Sequence, residues 1–245
     1  MSTAHRYEQF CVVARAAEVL GHRWTPLLLR DLLVGPQRFS DLRRKQHGLT
    51  ASVLTARLAQ LERQGLVRRR KLSPPAASSV YELTPLGRAT EPILLEMARF
   101  GVYLLGRPAR LDDAIEPEWF ALVVDTFGRR DPSPTLRFAL RLRGGSGDAN
   151  TSPLALRLEG GPDGTRRCPD DAPDWRPDLS IETPVALAIN LIAGAVSPAA
   201  FRTDPDVQLE GDASYVDRLP ELFEMPPPLP ESDSPRSAAS DGIGD

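Results

Sequence analysis

Through the first hundred residues apolar positions recur at helical spacing, broken by short punctuating segments. The pattern predicts a helix over residues 11–20, stopped by Gly21. A second is predicted over 24–34, with Pro26 tolerated in its first turn and Gly35-Pro36 ending it. Residues 40–45 form a short third helix, and Thr50 is a suitable N-cap for a fourth over about 51–64, closed by Gly65. Two strand-like runs follow, 66–72 and 79–83, separated by Ser73-Pro74-Pro75-Ala76-Ala77-Ser78, a loop of turn formers and small residues. Thr84 then caps a long helix, predicted from Pro85 to about Leu105. Four helices, a hairpin and a helix is the order of a winged helix-turn-helix.

Beyond residue 110 the periodicity changes. Residues 117–127 read as a helix, with Trp119, Phe120, Val123, Val124 and Phe127 at helical spacing. Leu136, Phe138, Leu140 and Leu142 alternate with Arg137, Ala139, Arg141 and Arg143, the period-two signature of a half-buried strand. Leu154, Leu156 and Leu158 repeat it, after a turn or flexible loop over 144–147. A third strand over 179–181 leads into an apolar helix over 184–193, closed by Gly194. Residues 207–212 give a last short strand, 213–223 a last helix, and the Pro-, Ser-, Asp- and Gly-rich remainder is expected to be disordered.

Net charge sharpens this division. Residues 1–110 carry 18 Lys and Arg against 8 Asp and Glu, a net of +10, whereas 111–245 carry 12 against 25, a net of −13. Such asymmetry points to a polyanionic partner for the basic half and sets a boundary near Gly106-Arg107-Pro108. The whole chain, 245 residues at −3, has the composition of a soluble globular protein. No apolar run is long enough for a membrane span, and the first residues lack a secretory h-region, so the cytoplasm is the expected location and no membrane partner is expected. Two cysteines, Cys11 and Cys168, make neither a disulfide framework nor a cysteine-only metal site.

The helix over 51–64 is the candidate for reading a base-pair groove. At 100° per residue Leu54, Leu58 and Leu61 cluster within about 60°. The outer face at its N-terminal end is short and polar or small: Ser52, Thr55 and Ala56, with Val53 and Arg57 along one edge. Short side chains let a helix sink into a major groove, and Arg57 has the reach for a phosphate or a guanine edge. The preceding segment, from Arg38 through Ser40, Arg43 and Arg44 to Lys45, puts four basic residues where this motif crosses the DNA backbone. The segment Arg68-Arg69-Arg70-Lys71 gives the hairpin the cationic tip a wing needs. The candidate DNA-binding set is therefore Arg38, Ser40, Arg43, Arg44, Thr50, Ser52, Val53, Thr55, Ala56, Arg57, Arg69, Arg70 and Lys71.

Several segments together resemble the HxlR-type (DUF24) winged helix-turn-helix regulators. They are Cys11-Val12-Val13-Ala14-Arg15, Gly21-His22-Arg23-Trp24-Thr25, Leu33-Val34-Gly35-Pro36-Gln37-Arg38-Phe39, Leu58-Ala59-Gln60-Leu61-Glu62, Gly65-Leu66-Val67 and Tyr81-Glu82-Leu83-Thr84-Pro85-Leu86-Gly87. The resemblance covers about residues 8–105. It implies a homodimer joined through the first and last helices, binding double-stranded DNA at a pseudo-palindromic operator, with repression the expected outcome. The family's Gly-Ile-Ser lead into the recognition helix stands here as Gly48-Leu49-Thr50, and its tyrosine-rich wing lead is replaced by Arg69-Arg70-Lys71. Trp24 is expected in the core. Some members use a cysteine at the position of Cys11 as a redox sensor, which makes Cys11 a redox candidate. Beside Phe10 and Val12 it also reads as a buried small hydrophobe.

The acidic half resembles the sterol-carrier-protein-2-like (SCP2-like) fold at Pro177-Asp178-Leu179-Ser180-Ile181, the following helix through Ala188, Leu191, Ile192 and Gly194, then Phe201 and the strand ending in Gly211-Asp212. The resemblance implies an apolar pocket, with Trp119, Phe120, Phe127, Phe138, Leu140, Leu187, Leu191 and Phe201 as candidate lining for a small apolar ligand; the same residues read equally as plain core. Catalysis finds no motif: there is no Gly-x-Ser-x-Gly, no phosphate-cradling loop and no His-Glu-x-x-His, and no metal or cofactor is expected.

The chain is thus read as multidomain: an N-terminal winged helix-turn-helix of helices with a β-wing (1–107), a C-terminal α+β, SCP2-like domain (112–225) and a disordered tail (226–245). The function expected is that of a dimeric, non-enzymatic transcriptional regulator responsive to an apolar ligand. The alternatives are a thiol-sensing regulator acting through Cys11 with the acidic half as a mere cap, and a lipid carrier.

Overall fold

The structure, a computed structural model, describes residues 7–73, 78–105, 107–131, 134–144, 153–169 and 174–226. The chain divides into two units, Met1–Leu94 and Leu95–Asp245. The first contains α1 (Val12–Leu20), α2 (Thr25–Val34), β1 (Gln37–Arg38), α3 (Phe39–Lys45), α4 (Ala51–Arg63), β2 (Val67–Lys71), β3 (Ser79–Leu83) and α5 (Pro85–Arg88). Helix α6 (Glu91–Val102) starts in the first unit and ends in the second. The three strands form an antiparallel sheet in the order β1-β3-β2, with Arg69 opposite Tyr81 and Val67 opposite Leu83.

Leucine spacing fixes how these helices pack. Leu28, Leu29 and Leu32 on α2 meet Leu54, Leu58 and Leu61 on α4, joined by Leu42, Leu49, Leu66, Val67 and Leu83 in one buried cluster. Each such side chain contributes about 1.5–3 kcal/mol relative to exposure. Trp24 packs against this cluster, as expected. Helix α4 ends in a Schellman motif: Gly65 lies at φ +74, its N–H donates to Glu62 O, and the Leu66 N–H donates to Leu61 O, both at 3.0 Å.

Two expectations for this unit fail. The long helix expected over 85–105 is broken between α5 and α6. Pro92 has no N–H to donate to the Arg88 carbonyl and its ring would crowd it, so the chain turns and restarts with Pro92 in the first turn of α6. The Thr90 hydroxyl and amide both donate to Gly87 O across the break. Cys11 is not buried: it is exposed, and Phe10, Val12 and Val13 around it are exposed too, because α1 buries only Ala14.

The second unit is built on a five-stranded sheet in the order β6-β5-β4-β7-β8, from β4 (Leu136–Arg143), β5 (Leu154–Gly161), β6 (Gly164–Cys168), β7 (Leu179–Pro184) and β8 (Gln208–Gly211). β4 and β7 run parallel and the other pairs antiparallel. One face carries Leu136, Phe138, Leu140, Leu142, Leu156, Leu158, Leu179 and Ile181. Those residues share one core with α7 (Phe120–Phe127), α8 (Val185–Ile192), α9 (Pro198–Thr203) and a 3-10 segment, Ala213–Leu222. Asn190 on α8 makes two hydrogen bonds to the backbone of Ala109, at 2.9 and 2.8 Å, holding the chain that enters this unit.

Here too the pattern misled in places. The segment over 117–127 is a 3-10 turn, Pro117–Trp119, running into α7. The last helix is 3-10 throughout and contains Pro220, which cannot complete an α-helical ladder. β6 escaped notice because an edge strand reading Gly-Thr-Arg-Arg-Cys has no apolar alternation. α9 is only 6 residues long, started by Ser197, whose hydroxyl accepts the Ala200 N–H. The loop expected at 144–147 lies, apart from Gly144, outside the described residues, as does all but the start of the expected tail.

One close approach holds the hairpin to α5. A Cβ at Gly87 would stand 2.0 Å from the Leu66 carbonyl oxygen, a backbone atom that cannot swing away. Gly87→Ala is expected to cost about 1–3 kcal/mol, lowering the first unit's melting temperature by roughly 5 °C or more. Thermal unfolding by circular dichroism checks this, and an unchanged transition would contradict the contact.

Candidate nucleic-acid interface

Helix α4 is started by Thr50, whose hydroxyl accepts the Val53 N–H at 3.4 Å and lies 3.1 Å from the Ser52 hydroxyl. With Leu54, Leu58 and Leu61 locked inward, its first two turns leave Ser52, Val53, Thr55 and Ala56 exposed. The Thr55 hydroxyl donates back to Ala51 O at 2.8 Å, so it lies along the helix. The exposed surface is therefore low and narrow, and nothing long obstructs entry into a groove. Arg57 is half-buried at the edge of this face, and its Nε is buried without a hydrogen-bond partner.

The turn before α4 is held by a buried carboxylate. Asp31 on α2 is fully buried and accepts from the Gln46 side-chain amide and from Arg30. Gln46 is the residue that ends α3, and Gly48, at φ +80, makes the turn that Leu49 completes by burying itself. Arg38, which precedes α3, and Ser40, Arg43 and Arg44 on it are exposed, with the Arg38 N–H donating to the Asp41 carboxylate at 3.3 Å. Lys45, counted from the sequence among the basic residues offered to the backbone, is instead buried, so three of those four reach the surface.

The wing divides its charges between two faces. Arg68 and Arg70 both donate to Glu82 through Nε, each at 2.8 Å, and the two guanidinium groups hold the Glu82 carboxyl below its ordinary pKa. Arg69 and Lys71 lie on the alternate face of β2 and are exposed. The hairpin tip itself, over 74–77, lies outside the described residues.

Two basic residues outside the expected site lie in the turn before α2, and one of them feels the charge of Arg57 on α4. His22 sits in the turn before α2, where its Nδ1 accepts the Trp24 N–H at 3.3 Å. Its pKa is lowered by burial first and then by the charges of Arg57 and Arg23. Arg23 is exposed and stacks over the Trp24 ring, 4.6 Å from its centroid. The signal was present in the Gly21-His22-Arg23-Trp24 segment, but it lies some thirty residues from the recognition helix and only folding brings the two together.

The candidate ligand residues of the second unit lie in its interior. Phe120, Phe127, Phe138, Leu140, Leu187, Leu191 and Phe201 are all members of its buried core, and Trp119 is half-buried. Leu140 also borders a concavity of about 550 Å³ on the sheet's other face, among Ala139, Ala155, Ser180, Arg141 and Glu182. Among the described residues no group of three or more His, Cys, Asp or Glu is placed to hold a metal ion, and no helix is long and apolar enough to cross a membrane.

A family model described as HxlR-like helix-turn-helix matches residues 19–108. The HTH-type transcriptional regulator YdeP of Bacillus subtilis (strain 168) is 34% identical over 110 residues, spanning 44% of this chain and 84% of its own. A second from the same organism, YybR, is 34% identical over 91 residues, 37% of this chain and 73% of its own. Among solved structures, the redox regulator HypR in its oxidised form is 34% identical, with 38% of this chain and 95% of that chain covered and a TM-score of 0.36.

The buried bond between α2 and the turn yields a direct test. Asp31→Ala leaves the Gln46 amide and the Arg30 guanidinium without this acceptor, an expected loss of about 1–3 kcal/mol. Urea unfolding of the full chain reads that loss as a lower midpoint. An unmoved midpoint would mean the turn is held by other contacts.

Proposed function

Because the chain belongs to the HxlR-like helix-turn-helix family, whose relatives are transcriptional regulators, we propose that it is a dimeric, non-catalytic repressor reading a pseudo-palindromic operator. The observation that carries this reading is the low exposed face of α4 between the arginines of α3 and those of the wing, all on one unit. Two such helices, one per protomer, would enter successive major grooves about one helical turn apart. Repression then follows from occupancy of the promoter.

Dimerisation is supported by apolar surface that a lone chain leaves in water. Phe10, Val12 and Val13 stand exposed beside a concavity of about 630 Å³ lined by residues 7–12 and Arg15. Along and just beyond α6, Ile93, Met97, Phe100 and Leu104 recur on one helical stripe, each exposed, Phe100 at 64%. The acidic half is read as an SCP2-like sensor of a small apolar molecule, a reading supported by its single-sided sheet packed under short apolar helices. Native mass spectrometry of the purified protein would reveal a carried-over ligand. The lipid-carrier alternative, in which the basic half docks on anionic membrane, is disfavoured because those basic residues follow the order of a helix-turn-helix with a wing.

A thiol-responsive form of the same function is favoured by one observation, the exposure of Cys11 at the start of α1 within that apolar surface. Oxidation with diamide would then lower DNA affinity reversibly, and Cys11→Ser would abolish the effect. Unchanged affinity after diamide removes this reading and leaves the first intact.

The central test is salt-dependent binding with footprinting on DNA upstream of the gene. The expected result is a protected twofold sequence. Neutralising Arg43 and Arg44 together should reduce the slope of log K against log salt by about 2 per protomer. Phe100→Glu should yield monomers by sedimentation and lose tight binding. Protection without twofold symmetry, or wild-type protein sedimenting as a monomer, would overturn the dimeric repressor.

A further inference from the structure

The first two turns of α4 offer a base edge very little hydrogen bonding. Residues 51–56 include no Arg, Lys, Asn or Gln, the side chains that make paired bonds to guanine or adenine. The two hydroxyls on the exposed face are engaged within their own turn. Thr55 Oγ1 donates its one proton to Ala51 O at 2.8 Å. Ser52 Oγ lies 3.1 Å from Thr50 Oγ1, which itself accepts the Val53 N–H. Arg57, the first long donor along the helix, is half-buried.

What the face presents instead is methyl groups. With its hydroxyl bonded to the backbone, Thr55 has the Cγ2 methyl as the outer end of an exposed side chain. Val53 is 36% exposed, an apolar β-branched residue where a solvent-facing helix position favours Ala, Lys or Glu. Ala56, also exposed, lies between them. At 100° per residue Val53, Thr55 and Ala56 span an arc of about 160°, opposite the buried leucines.

We propose that Val53, Thr55 and Ala56 are the specificity-determining residues of α4, and that they read thymine through its C5 methyl in the major groove. The inference rests on the DNA-binding reading above and adds to it the base that is recognised. Thymine is the one base of ordinary DNA with an apolar group on its major-groove edge. The N-terminal residues of a recognition helix are those that meet base edges. Packing a thymine methyl on these three side chains leaves no polar group stranded, because both hydroxyls keep their internal bonds. Each methyl so buried is expected to contribute about fourfold in affinity.

One atom group can be removed from the DNA without touching the protein. 2′-Deoxyuridine pairs as thymidine does and lacks only the C5 methyl. The probe is a duplex carrying the footprinted operator, compared by fluorescence anisotropy at fixed salt with the same duplex holding deoxyuridine for every thymidine of the protected sequence. One methyl contact in each of two half-sites predicts a loss of about sixteenfold. Deoxyuridine confined to the flanks should change nothing. Thr55→Val, which keeps the methyl, should keep the thymine preference. Val53→Ala with Thr55→Ser in one chain should shrink it to below about fourfold, with melting curves confirming the fold.

Equal affinity of wild-type protein for the two duplexes overturns the methyl reading and leaves the DNA-binding one standing. So does a loss of equal size from the flanks alone. A Val53→Ala, Thr55→Ser chain that keeps the full preference places the effect in the duplex itself, and the assignment to these residues fails. Loss of the preference in Thr55→Val has the same consequence. Wild-type protein that protects no sequence at all overturns the regulator and this inference together.

Discussion

The rotation of one helix about its own axis decides what this protein can touch. Burial of Leu54, Leu58 and Leu61 against Leu28, Leu29 and Leu32 holds that rotation, because turning α4 by even one residue's 100° would put a leucine in water and a hydroxyl in the core. The exposed face of Ser52, Val53, Thr55 and Ala56 is simply what remains when the leucines are satisfied. Position along the axis is fixed by different chemistry: the Thr50 cap at one end, the Schellman turn at Gly65 at the other, and the Asp31–Gln46 bond that anchors the preceding turn to α2. Hydrophobic burial orients the reading surface and directional hydrogen bonds set its height.

Where a single local rule governs, the chain can be read directly. The strand over residues 79–83, the Thr50 cap and the Gly65 stop each depend on residues within a turn of one another, and each is where the pattern puts it. The β4 alternation is equally legible, since one face of that sheet is covered by apolar helices and the other is not. The misses share a different cause. Lys45 is buried because the packing of α3 carries it inward, and nothing at residue 45 announces that. His22 joins Arg57 across some thirty-five residues. Cys11 and its apolar neighbours stand in solvent because periodicity reports an apolar face without saying what covers it. Pro92 is by contrast a local signal: a proline seven residues after Pro85 is incompatible with one uninterrupted helix.

The two units differ in how they offer charge. Each has its own leucine-rich core, and the two buried clusters share no residue. In the second unit four arginines of the sheet are paired in place, Arg137 and Arg166 with Glu159 and Arg141 and Arg143 with Glu182, while Arg157 lies over the Trp175 ring. In the first, Arg23 stacks on an aromatic ring and Arg69 and Lys71 stand exposed on the wing. The same residue type serves as internal glue for one sheet and as presented charge on the other unit. Overall composition cannot make that distinction, although the net charges of the two halves foreshadow it.

Glu82 shows how the wing reconciles order with availability. Its carboxylate holds Arg68 and Arg70 side by side while leaving both guanidinium groups largely in solvent. Exposed ion pairs of this kind contribute little to stability, and they are readily exchanged for another anion. A phosphate approaching the wing therefore competes with a single shared carboxylate and meets two arginines already side by side. Less side-chain freedom remains to be lost on contact than two unrestrained arginines would lose. Such contacts would be screened by salt and blind to sequence, so in the proposed reading the wing would add strength and register, whereas discrimination between base pairs would fall to the low face of α4.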